Sequence, residues 1–488
     1  MAPARKQNIR SRSPLTHIVL VPGFAGFAAL GQLEYFARVT LQFGLWKRDG
    51  RSQGRNAVLH YFPNFPTAAV ATRAQRLRAY LAKRCARGSF FLDDNPIEES
   101  DSIALVGHST GGLDIRRLLW DLAKDYKAKV SYLVDGISSD SHLEVPAENL
   151  LRLVDRVVFL SVPQFGTNIA DWVLAHAPGR HAVVADLRAS IAASQMPVLD
   201  RLQNWLTRSV SAASDLDLFY AVQDALSEAE PPSAPDPMRM LMAQEAASEL
   251  ALWMRHIASD FGAINDLSAA VPDGDISSPA HFSAALRKQE MADWIKHGIK
   301  TRSYATLGSR PFDFDPGRPA PPWDLLNPCS YPETTPGTSA KAATDIVYRT
   351  CYRASAGGPF DYPGVGFPKP FKLADTSGVE HAIARWDNDG IVNTASMLWP
   401  NGQDTRLVSA DHMDIVGHYQ RVRSPDADDG RTYDAYDLLK SGSGFDQAAF
   451  WKVWKEVFDF CVGRDARPTH SRSVNTRSRG KVASGRVY

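Results

Sequence analysis

The chain reads as an α/β protein: a mostly parallel central sheet, helices on both faces and a large helical insertion. Three observations predict this. Short β-branched runs recur, several of them almost continuously apolar; amphipathic helical patterns separate the early ones; and one long stretch has helical patterns but no convincing strand. Apolar runs without alternation suit strands buried on both faces. Strands that alternate with helices lead to parallel pairing through right-handed crossovers.

In order, the predicted strands are Thr16–Val21, Ala57–Phe62, Ser102–Val106, Val157–Val162, Arg302–Leu307 and Thr405–Ala410. Between them, residues 68–85 place Val70, Leu77, Tyr80 and Leu81 on one helical face. Residues 112–124 do the same with Leu113, Leu118, Leu119 and Leu122. The core is therefore expected in two parts, 16–165 and 301–463. A helical cap or lid at 166–300 interrupts it, with patterns at Met238–Ile257 and Ser283–His297 and a break at Pro231–Pro237. Residues 309–378, rich in Pro, Gly, Tyr and Phe, read as an ordered loop within the second part.

Of 488 residues, 44% are hydrophobic and 22% charged, with 33 Gly and 31 Pro, which excludes a disordered or fibrous chain. A net charge of +1 gives no reason to expect a nucleic-acid partner. The balance hides two basic ends: +4 over residues 1–15 and +6 over 464–488, leaving about −9 between them. Both ends read as flexible, solvated tails, with weak contact to an anionic surface as the alternative. No run reaches the length of a membrane helix and the start lacks the apolar stretch of a secretory signal, so a cytoplasmic location is expected. Cys85, Cys329, Cys351 and Cys461 fit no zinc spacing; Cys329 and Cys351 could pair, although free thiols suit an intracellular chain better.

Directly after the third strand comes Gly107-His108-Ser109-Thr110-Gly111-Gly112, and a helix follows at once. This is a G-x-S-x-G nucleophile elbow in the strand-before, helix-after context that it requires, which makes Ser109 the candidate nucleophile on an α/β-hydrolase fold. The alternative is a Gly/Ser-rich turn without chemistry. The first strand ends in Val21-Pro22-Gly23-Phe24-Ala25-Gly26-Phe27. In this architecture the loop there and the residue after the nucleophile supply oxyanion N–H groups, which nominates the backbone of Phe24 and Thr110. His108, Gln164 and Phe27 are expected to line the substrate site.

The order Ser…Asp…His puts both partners downstream. His412 follows the last strand, as a base should, and His418 is its rival on what reads as a following helix. Trp386-Asp387-Asn388-Asp389-Gly390 offers two carboxylates, either of which suits a turn as well as an acid.

Together these segments resemble the bacterial true lipases related to the Pseudomonas and Burkholderia enzymes. The matches run in order: VPGFAGF with LEYF behind it, VGHSTGGL, VVFLSVPQFGTNIADW, NDGIV and HMDIVGH. The resemblance implies that Asp389 is the triad acid, that His412 is the base, and that Asp414 binds a structural calcium. Two positions depart from the family, with Pro22-Gly23 in place of His-Gly and Pro163-Gln164 in place of Pro-His.

The expected activity is hydrolysis of small-molecule or lipid carboxylic esters by a Ser-His-Asp triad through an acyl-enzyme, with no cofactor required; Asp414 as a plain salt-bridge residue is the alternative to the structural calcium. A thioesterase, acyltransferase or polyester depolymerase on the same scaffold is the alternative, and a non-catalytic binding protein a third reading. In the insertion, Met238, Met240, Met242 and Met254 with Leu241, Leu252 and Trp253 suit a lid over an apolar acyl pocket, or equally the packing of a cap onto the body.

Overall fold

The computed structural model describes residues 13–24, 26, 29–30, 33–49, 56–86, 96–135, 142–176, 262–270, 276–311, 314–315, 340–356, 372–398, 404–419, 439 and 441–463. In chain order the main elements are β1 (Leu15–Val21), α1 (Val39–Arg48), β2 (Asn56–Tyr61), α2 (Val70–Cys85), β3 (Ser102–His108), α3 (Thr110–Lys127), α4 (Ala147–Leu153) and β4 (Val154–Leu160). They continue with α5 (Asn168–His176), α6 (Ala284–Lys296), β5 (Lys300–Leu307), α7 (Ala340–Ser355), β6 (Thr405–Ser409) and α8 (Gln447–Cys461). The six strands form one sheet in the order β6-β5-β4-β3-β1-β2, and every neighbouring pair is parallel. All six predicted strands are present, with ends moved by up to three residues.

Period-two alternation along each strand divides the core. Ile18 and Leu20 of β1 face a layer with Val39, Phe43 and Trp46 of α1 and Trp454, Val457 and Phe458 of α8. Val19 and Val21 face the opposite layer, with Val70, Leu77 and Leu81 of α2 and Leu113, Leu118 and Leu122 of α3. Each such side chain contributes about 1.5–3 kcal/mol on leaving water, which is why the helices cannot slide freely on the sheet.

The chain runs outward from β1 to β2 and then back past β1 to β3. Because crossovers keep one hand, this reversal puts α1 and α2 on opposite faces and leaves a crevice at the C-terminal ends of β1 and β3. An all-parallel sheet in this order, wrapped on both faces and carrying a strand–turn–helix elbow after its third core strand, is the α/β-hydrolase arrangement.

Several expectations change. The segment 309–378 is not loop throughout: α7 lies within it and packs Tyr348 and Tyr352 with Leu439 and Trp386. Its Pro- and Gly-rich flanks masked a sixteen-residue run of helix-compatible sequence. His418 is not helical, because a single 3-10 turn, Asp414–Val416, ends at Gly417 with φ 108°. Cys351 is buried and unbonded. Within 166–300 the described helices are α5, Ala263–Leu267, a 3-10 turn at Pro279–His281 and α6. Met238–Ile257, the Pro231–Pro237 break, Cys329, residues 1–12 and 464–488 lie outside the described residues. Among the described residues no helix is long and apolar enough to cross a membrane.

One buried ion pair ties the insertion to the core. Arg116 of α3 donates from Nη2 and Nε to Glu290 of α6 at 2.8 and 3.0 Å, both side chains fully buried. Burial raises the Glu290 carboxyl above its ordinary range while Arg116 opposes the shift. Glu290→Ala strands a buried guanidinium, so the expected loss is about 3–5 kcal/mol of unfolding free energy. Urea denaturation measures it, and a loss under about 0.5 kcal/mol, the range of an ordinary surface substitution, would refute this role.

Candidate active site

β3 ends at His108 and α3 starts at Thr110, so Ser109 alone makes the turn. It adopts φ 53°, ψ −133°, a region that costs a non-glycine residue on the order of 1–3 kcal/mol. Its N–H is held by the Leu160 carbonyl of β4 at 2.9 Å. The turn closes only because its flanks lack side chains. A Cβ on Gly111 would overlap the Val21 carbonyl, and one on Gly23 would sit 2.5 Å from Ser109 Cβ. Thr110 N–H is the first amide of α3, one of those that a helix leaves without an intrahelical acceptor and that favour negative charge.

The loop after β1 is aimed by a residue that the sequence analysis missed. Arg73 of α2 is fully buried, and its Nη2 donates to the carbonyls of Pro22 at 2.8 Å and Gly23 at 3.1 Å. Its Nη1 binds the Phe65 and Pro66 carbonyls, and its Nε binds Asp114. In a trans peptide the N–H points opposite to the C=O. With the Gly23 carbonyl drawn to Arg73, the Phe24 N–H faces away from the guanidinium. Asn64 Nδ2 also donates to Asp114 at 2.8 Å, and burial pushes that carboxyl up to about 6 against the opposing pull of Arg73. Arg73 sits inside an amphipathic helical pattern, and only its separation of three residues from Val70 hints at an inward face.

Asp389 and His412 are brought together. His412 Nδ1 lies 2.8 Å from Asp389 Oδ2, and the His412 amide donates to the Asp389 carbonyl at 3.0 Å. The other acceptor positions of the carboxylate are also filled, Oδ1 by the amides of Ile391 and Val392 and Oδ2 by Thr306 Oγ1 at 2.6 Å. Thr306, the next to last residue of β5, was not singled out from sequence. A hydroxyl in a buried strand carries no motif of its own. Among the described residues no hydrogen bond joins Ser109 Oγ to His412. Apo sites of this kind often tighten only around substrate.

The two rival residues have other work. Asp387 accepts the Ala384 amide and Arg310, which makes it a turn residue. His418 Nε2 donates to the Tyr35 carbonyl at 3.0 Å. His108, expected to line the substrate site, is fully buried with both ring nitrogens engaged, one by Tyr35 and one by the His412 carbonyl. A ring so placed has no edge to offer a ligand. Gln164 is fully buried too, its Oε1 accepting from Arg116 at 3.2 Å. Phe27 lies outside the described residues.

Among the described residues, Asp414 meets hydrogen-bond donors. Its Oδ2 accepts the Asp411 amide at 2.9 Å and the Ser443 hydroxyl at 2.7 Å, while Asp411 accepts the amides of Met413 and Asp414 and the Ser441 hydroxyl. Calcium requires six to eight oxygen ligands, whereas this pair is turned towards N–H and O–H donors. Among the described residues no group of three or more His, Cys, Asp or Glu is placed to hold a metal. Asp411 and Asp414 instead fold the His412 loop on itself, and Trp454 Nε1 fastens that loop to α8 through the Ile415 carbonyl at 2.8 Å.

No family model matches the chain, and no curated protein matches it in sequence. Solved structures with distant likeness include lipase 1 from Pelosinus fermentans, 15% identical with a TM-score of 0.34, covering 91% of this chain and 99% of that one. A metagenomic carboxyl esterase is 13% identical with a TM-score of 0.34, covering 94% and 82%. A Bacillus licheniformis lipase in mature form is likewise 13% identical at 0.34, covering 83% and 89%. At that distance none of them speaks for the chemistry of this chain, whose fold assignment rests on its strand order and elbow.

Proposed function

We propose that the protein is a serine hydrolase of carboxylic esters, with Ser109 as nucleophile, His412 as base and Asp389 as acid. The observation that carries this reading is the 2.8 Å His412–Asp389 contact, on a loop hydrogen-bonded to the residue that precedes the elbow serine. By accepting a hydrogen bond from Nδ1–H, Asp389 fixes the tautomer in which His412 Nε2 has a free lone pair. That nitrogen takes the Ser109 proton as Oγ attacks the ester carbonyl. The amides of Phe24 and Thr110 receive the oxyanion, the alcohol leaves with a proton from His412, and water then attacks the acyl-enzyme with His412 again as base. Every group this sequence of steps needs is a side chain or amide of the chain itself.

Hydrolysis of p-nitrophenyl esters from acetyl to palmitoyl is expected for the native chain, and Ser109→Ala is expected to lose about 10⁴-fold or more in kcat. Equal activity in the two proteins would sink the assignment of the nucleophile. The same assay with a competing alcohol distinguishes hydrolysis from acyl transfer. Arg73→Met releases the Pro22 and Gly23 carbonyls, so kcat is expected to fall about 10²-fold, on the scale of losing one oxyanion donor, with KM changed far less. An unchanged kcat would show that the loop is aimed by something other than Arg73.

A further inference from the structure

A chain of hydrogen bonds joins the three loops of the site at their base, and its polarity can be read without ambiguity. His108 Nε2 lies 2.9 Å from the backbone carbonyl of His412. A carbonyl only accepts, so Nε2 carries the proton and Nδ1 is the acceptor. Nδ1 lies 2.6 Å from Tyr35 Oη, so the phenol donates to it, and the Tyr35 oxygen in turn accepts the Gly23 amide at 3.0 Å. The sequence of donors runs Gly23 N–H to Tyr35, Tyr35 O–H to His108, and His108 N–H to His412.

We infer that Tyr35 and His108 are positioning residues that couple the loop presenting the Phe24 amide to the loop presenting the His412 base. This rests on the hydrolase reading and adds to it the parts that hold the base in register with the nucleophile. Three features support it. Gly23 and His412 are separated by most of the chain and have no common secondary-structure element, yet two side chains bridge them. The bridge runs through the residue bonded directly to Ser109, so a shift of His108 moves the nucleophile as well. Both rings are buried, His108 wholly and Tyr35 to 4% exposure, and their centroids stand 5.6 Å apart. Burial holds His108 well below the ordinary imidazole range, with the nearby His412 acting in the same direction, and holds the Tyr35 hydroxyl above the usual phenol range. Both therefore stay neutral, and a neutral bridge leaves no charge to compete with the imidazolium that forms on His412. The His108 and His412 rings lie 4.7 Å apart between centroids, close enough for a cation on one to be felt by the other.

The two bonds made by His108 can be separated by length of side chain. His108→Asn puts an acceptor near the position of Nδ1 and cannot reach the His412 carbonyl. His108→Gln puts an N–H donor near the position of Nε2. Tyr35→Phe removes the hydroxyl and leaves packing intact. The measurement is the rate of phosphonylation by a fluorophosphonate probe, with kcat and KM for a p-nitrophenyl ester alongside and a thermal melt of each variant. Asn and Phe variants are expected to slow both phosphonylation and kcat about 10–100-fold, the scale of a small misplacement of a reacting group, with KM within about threefold. The Gln variant keeps a donor for the His412 carbonyl and loses the acceptor of the Tyr35 hydroxyl, so its rate is expected to match that of Tyr35→Phe. Because both single changes break one chain, the Tyr35→Phe/His108→Asn double variant is expected to be no slower than His108→Asn alone. Native-like rates in His108→Asn, or a native-like His108→Gln beside a slowed Tyr35→Phe, would overturn the positioning role while native reactivity leaves the hydrolase reading intact. A native protein inert to the probe would overturn both. Should His108→Asn fail to melt cooperatively, Tyr35→Phe decides, and a native rate in that variant rejects the proposal.

Discussion

The upper edge of the sheet depends on one covalent constraint: the chain has a single residue, Ser109, in which to turn from β3 into α3. So short a turn is possible only with an unfavourable backbone conformation and with glycine where strand, helix and the β1 loop press together. That strain must be offset elsewhere. The offset lies in the two apolar layers on either side of β3, which hold strand and helix in fixed positions regardless of the preference of the turn. In return the hydroxyl stands at the N-terminus of an eighteen-residue helix, where amides have no intrahelical acceptor.

Around that turn the fold places buried polar groups in pairs or chains that hydrogen-bond to one another. Arg73 with Asp114 and Asn64 fixes the carbonyls of the β1 loop. Arg116 with Glu290 fixes the loop after β4 through Gln164. Thr306 and two amides saturate Asp389. Buried ions are poor sources of stability, since desolvation consumes most of their attraction. Their value here is geometric. Each one fixes a carbonyl or carboxylate whose direction decides where a neighbouring N–H points.

The segment between β5 and β6 illustrates how support can come from outside the sheet. Asn388 Nδ2 donates to the Tyr352 carbonyl of α7, and Tyr348 donates to the Ser309 carbonyl at the far end of β5. The Asp389 loop is thus held from behind by a helix that the sequence had presented as loop. The loop after β4 is sewn to the turn beyond the acid through Ser396, whose hydroxyl accepts the Phe165 amide and donates to the Gly166 carbonyl. Neither contact involves a residue type that announces itself in a sequence.

By itself the sequence determined the parallel sheet, the order of its strands along the chain, the elbow and the candidates for base and acid. The reason is that apolar runs, helical periodicity and G-x-S-x-G spacing are local properties. Local rules left Asp387 and Asp389 equivalent, and His412 and His418 rivals. The family resemblance favours Asp389 and His412, and the tertiary structure sets one carboxylate against His412 Nδ1 and the other against Arg310. In the fold His108 bridges Tyr35 and the His412 carbonyl, and Asp414 accepts from the Asp411 amide and the Ser443 hydroxyl. Arg73, Tyr35 and Thr306 were illegible for the same reason. A buried polar residue is defined by the partners it meets, and those partners stand between 7 and 145 residues away in the chain.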